Sequence, residues 1–144
     1  MINHVWTVVC EKSIIDRETN NISLDALEQL NIKIPPSPEE VKGVIYPGKI
    51  EIVSLWYRDQ GEKGIRGKGQ LKIEAPNSNV VGTANIDINL TESHRCRTLV
   101  RLEGLPIPKS ASGLFCFMVS LESDNKWIEV ARVPLEVDVK LIAS

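Results

Sequence analysis

The sequence predicts an all-β domain: a two-sheet sandwich of about eight strands with few or no helices. Three observations lead there. Apolar residues alternate with polar ones at period two in most segments, the spacing that puts one strand face in a core and the other in water. Clusters of Asn, Asp, Gly, Ser and Pro interrupt those segments at short, regular intervals and supply the turns. No long stretch carries the 3.6-residue apolar period of a surface helix. Unequal strand lengths and irregular loops favour a sandwich over a closed barrel. The length, 144 residues, suits one domain spanning 1–144. A chain of that size buries about 68–70% of its unfolded surface and needs no disulfide or metal to hold a core.

The elements follow in order. Val5 to Ile15 is rich in Val, Ile, Trp and Thr, and the polar hexapeptide Asp16 to Asn21 turns the chain. The next run starts at Ile22. Its alternation breaks over Leu27 and Leu30 and resumes at Ile32 and Ile34. A β-bulge is preferred there to a short helical turn over 25–30, because six residues do not sustain a helix without strong packing. Pro35, Pro36 and Pro38 end that strand.

Lys49 to Tyr57 is the third run. Residues 59–69 hold four glycines and read as a mobile loop or irregular hairpin before a short strand at Leu71 and Ile73. Asn77 to Asn79 turns the chain. Ala84, Ile86, Ile88 and Leu90 then alternate with Asn85, Asp87 and Asn89, and Cys96, Thr98, Val100 and Leu102 share one face of the following strand. Residues 105–113 read as a loop. Leu114 to Leu121 is apolar on both faces, as a central strand is. Glu122 to Lys126 makes a hairpin turn. Trp127 to Leu141 closes the chain, with a bulge expected at Ala131–Arg132 and an edge position for Pro134.

Seventeen basic and nineteen acidic residues leave a net charge of −2, so no global basic excess draws the chain to nucleic acid or an anionic membrane. The N-terminus lacks the basic start and long apolar core of a secretory signal. No apolar run approaches the ~20 residues of a membrane span. A cytoplasmic protein without membrane contact is expected. The three cysteines, Cys10, Cys96 and Cys116, include no Cys-x-x-Cys pair and sit among β-formers. Buried, reduced thiols are expected; a Cys10–Cys116 bridge is the alternative.

Two end segments carry a resemblance. Trp6-Thr7-Val8-Val9-Cys10-Glu11-Lys12 with Asp16-x-x-Thr19-Asn20-Asn21-Ile22-Ser23-Leu24 opens the chain. Gly113-Leu114-Phe115-x-Phe117-x-Val119-x-Leu121, a polar turn and Val130-Ala131-Arg132-Val133-Pro134-Leu135-x-Val137 close it. This pattern resembles an uncharacterised family of small bacterial and phage proteins. The resemblance implies an immunoglobulin-like or similar Greek-key sandwich. It implies no activity and no site residue, because the shared motifs are strand-turn-strand patterns.

Candidate chemistry is sparse. His4 and His94 stand apart, and metal sites need three or four converging ligands. No Gly-x-Ser-x-Gly elbow is present. Cys96 lies between Arg95 and Arg97, but alternation turns the thiol inward and the arginines outward. The glycine-rich stretch lacks the Ser or Thr and the strand-to-helix context of a phosphate loop. The acidic turns at Asp16/Glu18 and Glu122/Asp124 are accounted for by turn chemistry without calcium. No cofactor, metal or catalytic residue is therefore assigned, and the protein is expected not to be an enzyme.

Trp6, Trp56 and Trp127 are expected to pack in the core or on a sheet face. The candidate interaction residues are Trp56 and Tyr57, if that pair is instead exposed beside the glycine loop, and two basic groups: Arg58, Lys63, Arg66, Lys68 and Lys72, and Arg95, Arg97 and Arg101. The first expectation is a non-enzymatic interaction or structural module. It meets a protein partner or a second copy of itself through a sheet face, an edge strand or the 59–69 loop. The alternative is an anion, glycan or nucleic-acid binding domain in which the 58–72 and 95–101 residues form one basic patch. Nucleic acid is the weaker form of it, since no interleaved aromatic platform accompanies the charges.

Overall fold

The computed structural model describes residues 1–34, 43–108 and 112–141. Its strands are β1 (Asn3–Ile15), β2 (Ile22–Ala26), β3 (Gln29–Ile34), β4 (Gly43–Tyr46), β5 (Ile50–Tyr57) and β6 (Ile65–Glu74), followed by β7 (Val80–Leu90), β8 (Arg95–Leu102), β9 (Leu105–Pro108), β10 (Gly113–Ser123) and β11 (Lys126–Leu141). They form a four-stranded sheet in the order β2-β1-β5-β8, a five-stranded sheet in the order β3-β11-β10-β6-β7, and the small pair β4-β9. The pairings are antiparallel except that of β3 with β11. The fold is an all-β sandwich. Among the described residues no helix is long and apolar enough to cross a membrane.

Period two builds the core. Ile50, Ile52 and Trp56 on β5 and Val9 on β1 face Leu71 and Ile73 on β6, Ile86, Ile88 and Leu90 on β7, and Phe115, Phe117 and Val119 on β10. One continuous buried cluster results. β10 lies between β11 and β6, the central position its two apolar faces predict. The turn joining β10 and β11 is a two-residue reversal: Ser123 pairs Lys126 while Asp124 and Asn125 take φ of 51° and 61°. At the other reversal, Asp16 Oδ1 accepts from the Glu18 and Thr19 amides, and Asn20 carries φ of 60°.

Several expectations are corrected. There are eleven described strands rather than about eight. The break at Leu27 is neither a bulge nor a helical turn. It is a crossing between sheets: the Leu27 amide donates to the Val9 carbonyl (2.8 Å) and the Glu28 carbonyl accepts from the Glu136 amide (3.1 Å). One apolar run thus yields β2 in one sheet and β3 in the other. Part of the 105–113 loop is strand β9, which pairs with β4. The glycine-rich stretch is loop only to Gly64, because β6 begins at Ile65. Gly69 permits close packing there, since a Cβ would lie 3.2 Å from the Ile86 Cβ and 3.3 Å from the Ser120 carbonyl. The β11 bulge falls at Val130, between the Ala131 and Glu129 pairings, one residue before the expected step. The prolines at 35–38, expected to end a strand, lie outside the described residues.

Pro134 sits where an edge proline belongs. β3 pairs with β11 only from Glu136 onward, so among the described strands Lys126–Leu135 of β11 has no paired neighbour on that side. The cysteines are unbridged. Cys10 lies on the outer face of the four-stranded sheet and Cys116 on the outer face of the five-stranded one, which keeps them apart. Burial pushes the Cys10 thiol up to about 11, and the Glu51 and Asp25 carboxylates push the same way. At pH 8 that leaves on the order of one Cys10 in a thousand as thiolate. An aromatic disulfide reagent is expected to label Cys10 only as the protein unfolds, with the half-buried Cys96 and Cys116 reacting first; mass mapping of a labelling time course checks the order.

Candidate functional site

The expected basic patch divides between the two outer faces. Arg66, Lys68 and Lys72 take the outward parity of β6, opposite the inward Leu71 and Ile73. Arg95, Arg97 and Arg101 take the outward parity of β8, since Cys96, Val100 and Leu102 pack on the core. The sandwich therefore carries the two rows on opposite sides. Neither row is a bare cation surface. Lys68 sits directly across from Asp87. Arg66 and Lys68 share a shallow recess with Glu122 and Asp124. Arg101 lies 3.9 Å from the Glu51 carboxylate, which also accepts from Ser13 Oγ at 2.9 Å. Lys63 is exposed in the 58–64 loop.

Arg58 is a core residue, contrary to its place in the predicted patch. It continues the inward parity of Ile50, Ile52 and Trp56 past the end of β5 and is only 7% exposed. Its Nε donates to the Leu90 carbonyl at 2.7 Å, and its guanidinium also donates to the carbonyls of Glu62 (2.8 Å) and Asp59 (3.4 Å). It closes one end of the sandwich by satisfying carbonyls at the end of β7 and in the loop. A Cβ at Gly64 would run into the Thr91 carbonyl, which holds that loop against β7.

Arg97 is also engaged. Its guanidinium donates to the Asn20 carbonyl and, at 3.4 Å, to Asn20 Oδ1. Asn20 is in the β1–β2 turn, and Arg97 pairs with Leu55, four residues along β5 from Glu51. The hairpin beyond Cys10 must therefore fold back across the outer face of its own sheet. A register shift in β1 between Cys10 and Ser13 lets it bend. This cover explains why Val53, on the outward parity of β5, is only 2% exposed.

The Trp56–Tyr57 pair is not an exposed platform. Trp56 is fully buried, its Nε1 donating to Thr98 Oγ1 at 2.9 Å; Tyr57, on the opposite parity, is 38% exposed. The His4 ring stands edge-on to Trp56 at 5.1 Å. His4 Nε2 bonds Thr7 Oγ1 (2.7 Å), which bonds Ser54 Oγ (2.8 Å). A serine, a hydroxyl relay and an imidazole thus lie in line, but Ser54 is 1% exposed and no carboxylate orients the imidazole. Among the described residues every buried side-chain nitrogen and oxygen has a hydrogen-bond partner. Among the described residues no group of three or more His, Cys, Asp or Glu is placed to hold a metal ion.

Burial lowers the His4 pKa from its ordinary 6.5, a backbone hydrogen bond at Trp6 opposing it in part. The unfolded chain therefore binds this proton more readily than the folded one, and stability falls as pH drops from about 6.5 through the lowered folded value. Replacing His4 by Gln is expected to flatten that part of the curve, read from urea midpoints between pH 7.5 and 5.

The feature that sequence reasoning missed is a groove at the seam where β2 crosses to become β3. It has a volume of about 540 Å³ and is lined mainly by Val8, Val9, Ala26, Leu27, Leu114, Val133 and Pro134, with Glu28 and Glu136 the only ionisable lining residues among those described. β2 pairs with β1 only from Cys10 to Ile15, so the Asn3–Val8 stretch has no described hydrogen-bonded strand on that side. The Val9 carbonyl points that way, towards the Leu27 amide, and strand alternation sends the Thr7 N–H and C=O in the same direction. The opposing edge, on β11, presents Pro134, which has no N–H to offer. Leu27 stood out in the sequence only as part of a break in alternation, and Glu28 did not stand out at all.

No family model and no curated protein matches the chain. Among solved structures, a protein assigned as a beta-galactosidase from Bacteroides fragilis aligns with 69% of this chain at 21% identity and a TM-score of 0.52. A glycosyl hydrolase family 2 member from Bacteroides cellulosilyticus aligns with 67% at 13% identity and a TM-score of 0.52. The chain spans only 15% and 13% of those two chains. What this chain shares with these proteins is the fold of one β-sandwich domain.

Proposed function

We propose that this protein is a non-catalytic interaction module that meets a protein partner at the seam between β1 and β11. The observation carrying the proposal is the groove itself, an apolar concavity beside a strand stretch whose backbone groups face outward without a described neighbour. Protein partners are bound at such places because apolar burial and backbone pairing act together. The non-catalytic reading draws support from Ser54, whose hydroxyl is buried at the inner end of the Ser54–Thr7–His4 chain, and from Arg58, which faces inward. The resemblance of both chain ends to small immunoglobulin-like bacterial and phage proteins accords with a cytoplasmic module of this kind. Anion or glycan binding through 58–72 with 95–101 has less support, since those rows occupy opposite faces and several of their members are already engaged.

Photo-crosslinking tests the reading. A photoreactive residue placed at position 28 or 133 is expected to capture a discrete partner in the source cell, while one at position 72, on the far face, captures none. Equal capture from all three positions, or none from any, overturns it.

A further inference from the structure

We infer that the occupant of the seam is an extended peptide segment that adds to the four-stranded sheet along β1, with apolar side chains at alternate positions and a basic side chain at the end near Glu28 and Glu136. This rests on the interaction-module reading and names the chemistry of its partner.

Three observations support it. The first is the position of the vacancy in the sheet. β2 occupies the place next to β1 as far as Ala26, then leaves at Leu27 for the other sheet. An incoming strand takes up the row that β2 vacates, and its first hydrogen bonds go to the Thr7 N–H and C=O, which alternation directs there.

The second is the asymmetry of the two edges. β11 also lacks a described paired neighbour from Lys126 to Leu135, but Pro134, next in alternation to Glu136 on that side, has no N–H and interrupts the row of donors. The β1 edge carries no such interruption at Thr7, which favours strand addition there, and β11 supplies apolar wall through Val133 and Pro134.

The third is charge. Among the described residues the only ionisable side chains lining the groove are Glu28 and Glu136, both exposed and both at the crossing. Two carboxylates with no described lysine or arginine beside them in the groove favour a cation on the segment that enters. Strand addition also calls for side chains at every second position to face the same way, which matches an apolar floor with a polar outer side.

The probe is a blocked synthetic peptide, Lys-Val-Thr-Val-Thr-Val-Lys, with a lysine at each end so that either strand direction places one beside the carboxylates. Controls replace both lysines by glutamate, or methylate the backbone nitrogens of the three central residues. The lysine peptide is expected to bind at least tenfold more tightly than either control by fluorescence anisotropy, and to slow Thr7 amide exchange about tenfold. The protein variant Glu28→Lys/Glu136→Lys, altered only at exposed side chains, is expected to reverse the preference in favour of the glutamate peptide.

Equal binding of the methylated peptide, or a Thr7 amide unchanged by saturating peptide, overturns strand addition. Concentration-dependent Thr7 protection without peptide, accompanied by a dimer in light scattering, makes a second copy the occupant and also overturns the proposal. Crosslinks at positions 28 and 133 in the absence of peptide binding leave the interaction module standing and remove only this description of its partner.

Discussion

Trp56→Ala is expected to lower the unfolding free energy by about 3–5 kcal/mol, the range for deleting a large aromatic side chain from a packed core. Trp56 is fully buried in the single core cluster. That cluster draws on strands of both sheets, so shifting one strand does not close the cavity. Two polar contacts are lost as well: the indole N–H to Thr98 Oγ1 and the edge-on contact with the His4 ring. Urea unfolding monitored by far-ultraviolet circular dichroism measures the effect without relying on the deleted fluorophore. Trp56→Phe separates the contributions. It retains most of the volume but leaves Thr98 Oγ1 without its donor, and about 1–2 kcal/mol is expected. A loss below about 1 kcal/mol for the alanine variant is incompatible with a core position for this ring.

Arg58→Met is expected to cost about 2–3 kcal/mol, although most single changes of a charged residue cost far less. Methionine keeps the apolar stem and removes the donors. The Leu90 and Glu62 carbonyls then lose their partner at a site where Arg58 is only 7% exposed. Arg58→Lys is expected to fall between, because one ammonium on a flexible stem does not reproduce a planar fork serving several carbonyls. Hydrogen exchange separates this from a surface effect: amides from Asp59 to Gly64 and at the end of β7 are expected to exchange faster in the variant. If Arg58 were a patch residue, as its sequence neighbours Lys63 and Arg66 suggest, Arg58→Met would leave stability unchanged within about 0.5 kcal/mol.

Arg58 also shows how a legible signal was overridden. Period two runs through Ile50, Ile52, Ser54 and Trp56, and continuing it one step turns Arg58 inward. Grouping charges by proximity along the chain placed it on the surface instead. The same confusion of chain distance with spatial distance joined 58–72 to 95–101. Adjacent rows on one sheet would have made a patch; β6 and β8 belong to different sheets, and outward parity on each leads away from the other. Tyr57 and Trp56 illustrate the rule from the other side, since neighbours in a strand cannot share a face.

The seam was hidden for a different reason. Leu27 breaks an alternation that a bulge, a helical turn or a crossing between sheets each explains, and local sequence does not distinguish them. The choice rests on two hydrogen bonds to residues far along the chain, Val9 on one side and Glu136 on the other. The fold-back of the β1–β2 hairpin has the same character, because it depends on Arg97 reaching Asn20 across 77 positions.

The amino-acid order alone established that this is a β protein, which side chains of most strands point inward, and where the chain reverses at Asp16–Asn21 and Glu122–Lys126. These follow from pleat and turn chemistry, which act over two to six residues. The pairing of strands, their division between sheets and the place where β2 abandons β1 came from the assembled molecule. They are set by long-range contacts whose closing entropy and packing depend on the whole chain at once. The groove and the backbone it leaves open exist only at that level.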